Sequence, residues 1–385
     1  MSYSKKRKCL QAERQPKSIF SLSICCVDKM AQYQPKPRLT RLDNNRHAYI
    51  VSTPTSLIST NLKESEPPNS KMEESLHLRD LELMMHWCTT TYRSMARNST
   101  GEVLWQTVIP QLALRYPSLR HGLLALSALQ LADHYADICP HRKRRYLISA
   151  RDHQRQALAG IQIHGAEDCS ATPSNAHFAL CCTMVVFSFA YCLIDDADDE
   201  DDESEQPDIL DEFIELFHLT RWLVSAMQLS IDRVATGELS SLLEPEEPMP
   251  TMPNMTRLVM LPLQRLNENE ALRDPAHEKD VYGKTIEYLT LTLEQLMNRG
   301  DPTYFAFCWA FQIPVRFLDL LHERQPFALV VLAHYAVILH GIRDLWWMGD
   351  WGLRILKKIG SELDPEWRQL ISWPIDATGC DVPSP

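Results

Sequence analysis

The stretch Leu104–Tyr135 constrains the fold of this chain more than any other. Pro117 fixes its own φ and lacks an N–H, and both properties suit the first turn of a helix. Beyond it Leu119, Leu123, Leu126 and Gln130 share one face, with Leu124, Ala125, Ala128 and Leu131 beside it. Apolar residues cover most of the circumference, the pattern of a helix buried among other helices. Gly122, Ala125 and Ala128 allow neighbours to approach closely. Such a helix has no polar side to give to water, so the remaining sequence must supply its partners.

Those partners are legible as further helical stripes. Leu81, Met84, Met85, Cys88, Tyr92 and Met95 recur at helical spacing, as do Tyr146, Ala150, His153, Ala157 and Ile161. The outer face of that second stripe carries Arg144, Arg145, Arg151, Asp152 and Arg155. Phe213 to Met227 and Thr285 to Met297 are amphipathic, the latter through Ile286, Leu289, Leu293 and Leu296. Tyr304 to Leu321 is helical with an interruption at Pro314, and Phe327 to Ile342 is apolar nearly all round. Asp364-Pro-Glu-Trp367 is a helix start, which Trp373-Pro374 is expected to stop. Nothing alternates with period two for long enough to make a strand, and only 12 glycines in 385 residues argue against a fold rich in phosphate loops. The expected class is all-α, a multi-helix body with a basic disordered arm and an acidic loop.

The run Phe178–Ile194 has 17 apolar or small residues, the lower limit for crossing a bilayer. No Lys/Arg cluster flanks it, and nine acids occupy the eleven positions from Asp195 to Glu205. We expect a buried helix and a solvated acidic loop, with no membrane span. Four regions follow: 1–70, basic, Pro-containing and disordered; 71–243, the first helical half; 244–263, a Pro-rich connector; and 264–385, the second helical half.

The net charge of −11 conceals an asymmetry, because residues 1–50 carry a balance of +8 and the rest −19. Only the arm is suited to nucleic acid. Eleven cysteines, three of them before residue 27, and no recognisable secretory signal read as reduced thiols in an intracellular protein. There is no phosphate loop, nucleophile elbow, metalloprotease helix or Cys/His metal spacing, so a non-enzyme is expected.

Several stretches in order carry a family resemblance. They are Leu81-Glu-Leu-Met-Met-His86 with Thr89-Thr-Thr91; Trp105, Pro110-Gln-Leu-Ala113, Pro117 and His121-Gly-Leu-Leu-Ala-Leu-Ser-Ala128; and Tyr146, Ala150, His153 and Ala157-Leu158. The C-terminal half adds Pro326-Phe-Ala-Leu-Val-Val-Leu-Ala-His-Tyr-Ala336, Trp346-Trp347, Trp351-Gly352 and Asp364-Pro-Glu-Trp367. Together, from about residue 76 to 376, they resemble the regulatory domain of fungal binuclear zinc-cluster transcription factors, in particular the sterol uptake control protein group. The resemblance implies a helical effector domain, nuclear localisation, a role in RNA polymerase II transcription, and a sterol-sensing apolar pocket in the C-terminal half. Expected partners are a sterol or other apolar small molecule, the transcription machinery or a related regulator, and a second copy in a homodimer.

The front of the chain departs from that family, whose DNA-binding module holds two zinc ions on six thiolates in two C-x2-C-x6-C halves. Here Cys9 alone sits well, Ser18 stands where the fourth ligand is expected, and Cys25 and Cys26 are adjacent. Three thiolates cannot hold two four-coordinate zinc ions. No cofactor is therefore expected, zinc included, and DNA contact by this chain is left open.

Two sets of site residues follow. Lys5, Lys6, Arg7 and Lys8 fit a nuclear import signal or contacts to a DNA backbone. Phe305, Trp309, Val331, His334, Tyr335, Ile338, Trp346 and Trp347 are the candidate ligand pocket, in which His334 and Tyr335 bring polar tips into apolar surroundings. Core packing is the competing reading of the same residues. An alternative for the acidic run is the Mg²⁺-binding motif of a helical prenyl-diphosphate cyclase, with Asp195, Asp196 and Asp199 as ligands.

Overall fold

A computed structural model describes residues 70–159, 161, 174–195, 208–243, 255–297 and 302–381. Among them there is no strand, and the chain is all-α. The longer helices are α1 (Ser70–Thr89), α4 (Pro117–His134), α5 (Pro140–Leu158), α6 (Ser174–Asp195) and α7 (Ile209–Val234) in the first half. Two short helices, α2 (Ser99–Val103) and α3 (Ile109–Arg115), lie between α1 and α4. The second half holds α8 (Met255–Arg273), α9 (Lys279–Met297), α10 (Pro302–Gln312), α11 (Val315–His322), α12 (Pro326–Gly341) and α13 (Trp351–Glu362). Two short helices, α14 (Pro365–Arg368) and α15 (Ser372–Thr378), close the described chain.

The helix α4 is the hub. It begins at Pro117, and Leu119 and all residues from Gly122 to Leu129 are buried. α5 lies along it, α1 and α3 cover further sides, and α6 crosses where Gly122 leaves room. A Cβ on Gly122 would stand 2.8 Å from a Leu180 methyl. The stretch 104–135 is not one helix, because Tyr116 takes extended angles (φ −120°, ψ 96°) before Pro117, as the residue preceding a proline tends to do. Its first part contains a π-helical turn, Leu104–Val108, separated from Pro110 by Ile109 alone. A proline ring crowds the carbonyl four residues back, here Gln106, and the wider turn relieves that crowding. Trp87 of α1 donates from Nε1 to the Trp105 carbonyl at 2.9 Å, pinning α1 to this turn.

By length and composition α6 could cross a membrane, but most of it is buried within the protein as a core helix. Its C-terminal neighbour α7 packs beside it, and Phe213 and Phe217 of α7 meet the second half. There α12 repeats the role of α4, with all but a few of its residues buried. α13 crosses α12 at Gly352, where a Cβ would lie 2.5 Å from the Ala336 carbonyl oxygen and 2.7 Å from the His340 nitrogen. Trp351, next to it, donates from Nε1 to the Phe189 carbonyl of α6 at 3.2 Å. Trp346 donates to Ser94 Oγ at 2.7 Å, across 252 positions of sequence. Both halves therefore share one hydrophobic core.

Two expectations about proline need correction. The connector 244–263 is helical from Met255 onward, and Pro262 sits inside α8; residues 244–254 lie outside the described residues. Pro262 is exposed while Met260 and Leu263 are buried, so packing of the helix's inner face outweighs the local break. Trp373-Pro374 does not stop a helix either. Pro374 is in the first turn of α15, where a missing N–H is harmless, and the helix ends at left-handed Gly379. Residues 1–69, with the basic arm and its cysteines, and Asp196–Glu205 lie outside the described residues.

Candidate functional site

Most of the expected pocket residues come together, and they meet as packed rings. Trp309 of α10 stacks on Tyr335 of α12 with centroids 4.1 Å apart, and each sends its polar tip to a backbone carbonyl. Trp309 Nε1 donates to Thr285 (3.1 Å), and the Tyr335 hydroxyl donates to Ala306 (2.8 Å). Phe213 and Phe217 close over Tyr335 from α7. Val331 and Ile338 are buried on α12, and Trp347 stacks on Phe307. Phe305 belongs to α10, though its side chain is outside the described residues. Burial pushes the Tyr335 phenol upward, so it stays a neutral donor.

His334 and Trp346 are placed differently. His334 donates from Nδ1 to the Val330 carbonyl at 2.8 Å and stacks on Trp373. Burial pushes its pKa down to about 4, so it is uncharged near neutrality. Trp346 is half-buried and faces a cleft of about 190 Å³ with Asp133, Lys143, Leu193, Ile194 and Asp350. One atom in the aromatic region lacks a partner: Trp347 Nε1 is buried with no acceptor. An unmet buried donor costs on the order of 1–3 kcal/mol, which marks this indole as the polar point of the region.

The sequence did not point to a groove of about 590 Å³ between α8 and α9. Leu258, Leu261 and Leu291 form its apolar lining, Arg257 and Glu294 are paired at 2.9 Å, and Glu287 also lines it. Leu291 lies off the stripe formed by Ile286, Leu289, Leu293 and Leu296, but only the pairing of the two helices brings it beside Leu258.

Two histidines meet at the edge of the core. His121 and His153 face each other, Nδ1 to Nδ1, at 3.0 Å, so one donates and the other accepts. Burial lowers both, and His153 Nε2 approaches Asp80 of α1 at 3.6 Å. The pair and the carboxylate lock α1, α4 and α5 together. Among the described residues no group of three or more His, Cys, Asp or Glu is arranged to hold a metal ion.

Geometrically this is an all-α body with two largely apolar hub helices, a shared aromatic core and the two surface recesses described. Residues 82–210 match the family model for the fungal specific transcription factor domain, which runs from α1 through the hub α4 to the start of α7. The chain is similar over 342 residues, at 23% identity, to a Zn(2)-C6 fungal-type transcription factor of Gibberella zeae, covering 85% of this chain and 65% of that protein. It is also 35% identical over 94 residues to Sterol uptake control protein 2 of Saccharomyces cerevisiae, covering 24% of this chain and 10% of that one. The chain thus spans less than two thirds of either relative. No relative and no described residue supports the cyclase alternative; Asp195 ends α6, and Asp196 and Asp199 are outside the described residues.

Proposed function

We propose that this chain is a nuclear regulator of RNA polymerase II transcription, acting through its helical body. The observation that carries the reading is the domain match over 82–210, centred on the helices that surround α4. The basic run Lys5, Lys6, Arg7 and Lys8 serves nuclear import in this reading. Fusing the whole chain to an unrelated DNA-binding domain tests it on a reporter carrying that domain's sites. The expected result is a several-fold change in transcription, in either direction, and nuclear accumulation that is lost when the four basic residues become alanine. A reporter that stays at the level of the DNA-binding domain alone would remove the regulatory reading.

A second reading concerns a ligand. The unmet Trp347 Nε1–H would donate to the hydroxyl oxygen of an otherwise apolar molecule such as a sterol, entering where Trp309, Tyr335 and Phe307 now pack. Saturable binding of a fluorescent sterol, weakened by Trp347→Phe, supports it. Absence of binding at micromolar sterol excludes it.

A further inference from the structure

α5 carries its buried face toward α4 through Tyr146, Ala150, His153 and Ala157. Its outward face presents Arg144, Arg145, Ile148, Arg151, Asp152 and Arg155, all exposed. Residues three and four apart are neighbours on a helix. Arg144 and Arg145 therefore sit one turn before Ile148, Arg151 and Asp152 one turn after it, and Arg155 two turns after. The centre of this basic frame is an isoleucine with 54% of its surface exposed. Two arginines are oriented by tyrosines: Arg145 lies 5.2 Å from the centre of the Tyr146 ring, and Arg151 donates to the Tyr191 hydroxyl. Ion pairing with Asp152 holds Arg155.

We propose that this face of α5 docks an acidic and apolar peptide segment of a partner protein, with carboxylates on the arginines and a large apolar side chain on Ile148. The composition of the patch favours that occupant over nucleic acid. A phosphate backbone gains nothing from an exposed isoleucine at the centre. Scale gives a second argument. The patch extends eleven positions along a helix, about 16 Å. Charges beyond a Debye length of about 8 Å are largely screened at physiological salt, so a short peptide meets mainly the local arginines. A long duplex would also lie against a body that is strongly acidic overall. The inference stands apart from the regulatory reading, because binding is measured on purified protein whether or not a reporter responds.

The test is fluorescence anisotropy on the full chain with a short labelled peptide alternating Asp/Glu with Phe and Leu. Controls are the same peptide with Ser and Gly in place of Phe and Leu, and a random-sequence DNA duplex. A patch this small predicts affinity of about ten micromolar or weaker, tighter than either control. Arg144→Glu with Arg145→Glu should weaken the peptide at least about tenfold. Ile148→Ser should weaken it about three- to tenfold without changing the Ser/Gly peptide. All three positions are exposed, so folding survives, and a peptide with Lys in place of Asp/Glu should bind the doubly reversed variant better than wild type. Equal binding of the two acidic peptides would overturn the role of Ile148. Duplex bound more tightly, with the same sensitivity to the arginines, would give the face to nucleic acid. Peptide binding seen only after Asp195–Glu205 are neutralised to Asn/Gln would assign the face to the chain's own acidic run and end the partner proposal.

Discussion

Replacing Gly352 by alanine probes the crossing of α12 and α13. In an ordinary helix interior the change stabilises, by about 1 kcal/mol, because alanine has the higher helix propensity. Here the added Cβ meets the Ala336 carbonyl oxygen at 2.5 Å, the His340 nitrogen at 2.7 Å and the His340 Cβ at 3.0 Å. The first two belong to the backbone of a fully packed helix and cannot swing aside. Relief requires α13 to retreat by roughly half an ångström or more, and overpacking of this kind costs about 1–3 kcal/mol, occasionally more. With two backbone clashes we place the cost at the upper end, leaving a net loss of about 2 kcal/mol. At about 2–4 °C per kcal/mol for a chain of this order of size, the midpoint falls by roughly 4–8 °C. The assay is thermal unfolding by far-UV circular dichroism, with tryptophan emission as a second probe because Trp351 moves with Gly352. Gly283→Ala is the control: its Cβ would meet only Asn267 Nδ2, at 3.5 Å, so that variant should match or exceed the parent. An unchanged or raised midpoint for Gly352→Ala would show that close approach does not hold α13 on α12.

Two further perturbations test the same half of the molecule. His334 has a folded pKa of about 4 against an ordinary 6.5, so the unfolded chain binds the proton more readily. Stability is then flat above about pH 6.5 and falls on acidification toward about pH 4, by about 2 kcal/mol at pH ~5. His334→Phe should remove that part of the loss in urea titrations while keeping the stack on Trp373; an unchanged pH profile would contradict the assignment. Arg324 has a left-handed φ of 55° and reaches Asp208, Asp211 and Glu362, tying α7 to α13. Arg324→Ala loses the ion pairs and keeps the strain, whereas Arg324→Gly loses the pairs and relieves the strain, so the glycine variant should be more stable than the alanine variant by about 1 kcal/mol. The reverse order would mean that the turn is unstrained.

Much of this architecture was legible because its strongest signals are periodic. The hubs α4 and α12 read as apolar on nearly every side, and both are core. Proline was harder. Its effect depends on the position within a turn and on what the rest of the helix buries, so Pro117 and Pro314 marked boundaries while Pro262 and Pro374 did not. The candidate pocket shows another limit. Periodicity can bring Trp309, Val331, Tyr335 and Trp347 into one region, but whether their rings leave a hollow depends on Phe213 and Phe217, which arrive from α7. The pairing of His121 with His153 likewise depends on the register of two helices, a quantity absent from either stripe alone. In the α8–α9 groove, Leu291 falls off its helix's apolar stripe, but its meeting with Leu258 again depends on how two helices pair.

The domain match ends at Leu210, but the physical unit does not. Phe189 of α6 packs edge-on against Phe307 and Trp351, Phe213 lies 5.4 Å from Trp351, and Phe217 meets Trp309. A fragment ending at residue 243 would keep α6 and α7 and lose every one of those second-half partners. Three aromatic side chains each bury on the order of 150–250 Å². If most of that area returned to water, the loss at about 25 cal/mol/Å² would be roughly 10 kcal/mol. That is as large as the whole stability of a typical domain, about 5–15 kcal/mol. The fragment 70–243 should therefore bind a hydrophobic dye, lose near-UV dichroism and self-associate, and co-expression with 255–381 should reverse all three. A monomeric fragment that melts cooperatively would show instead that the second half is an addition to a domain complete without it, and that α6 and α7 had another way to cover their aromatic face.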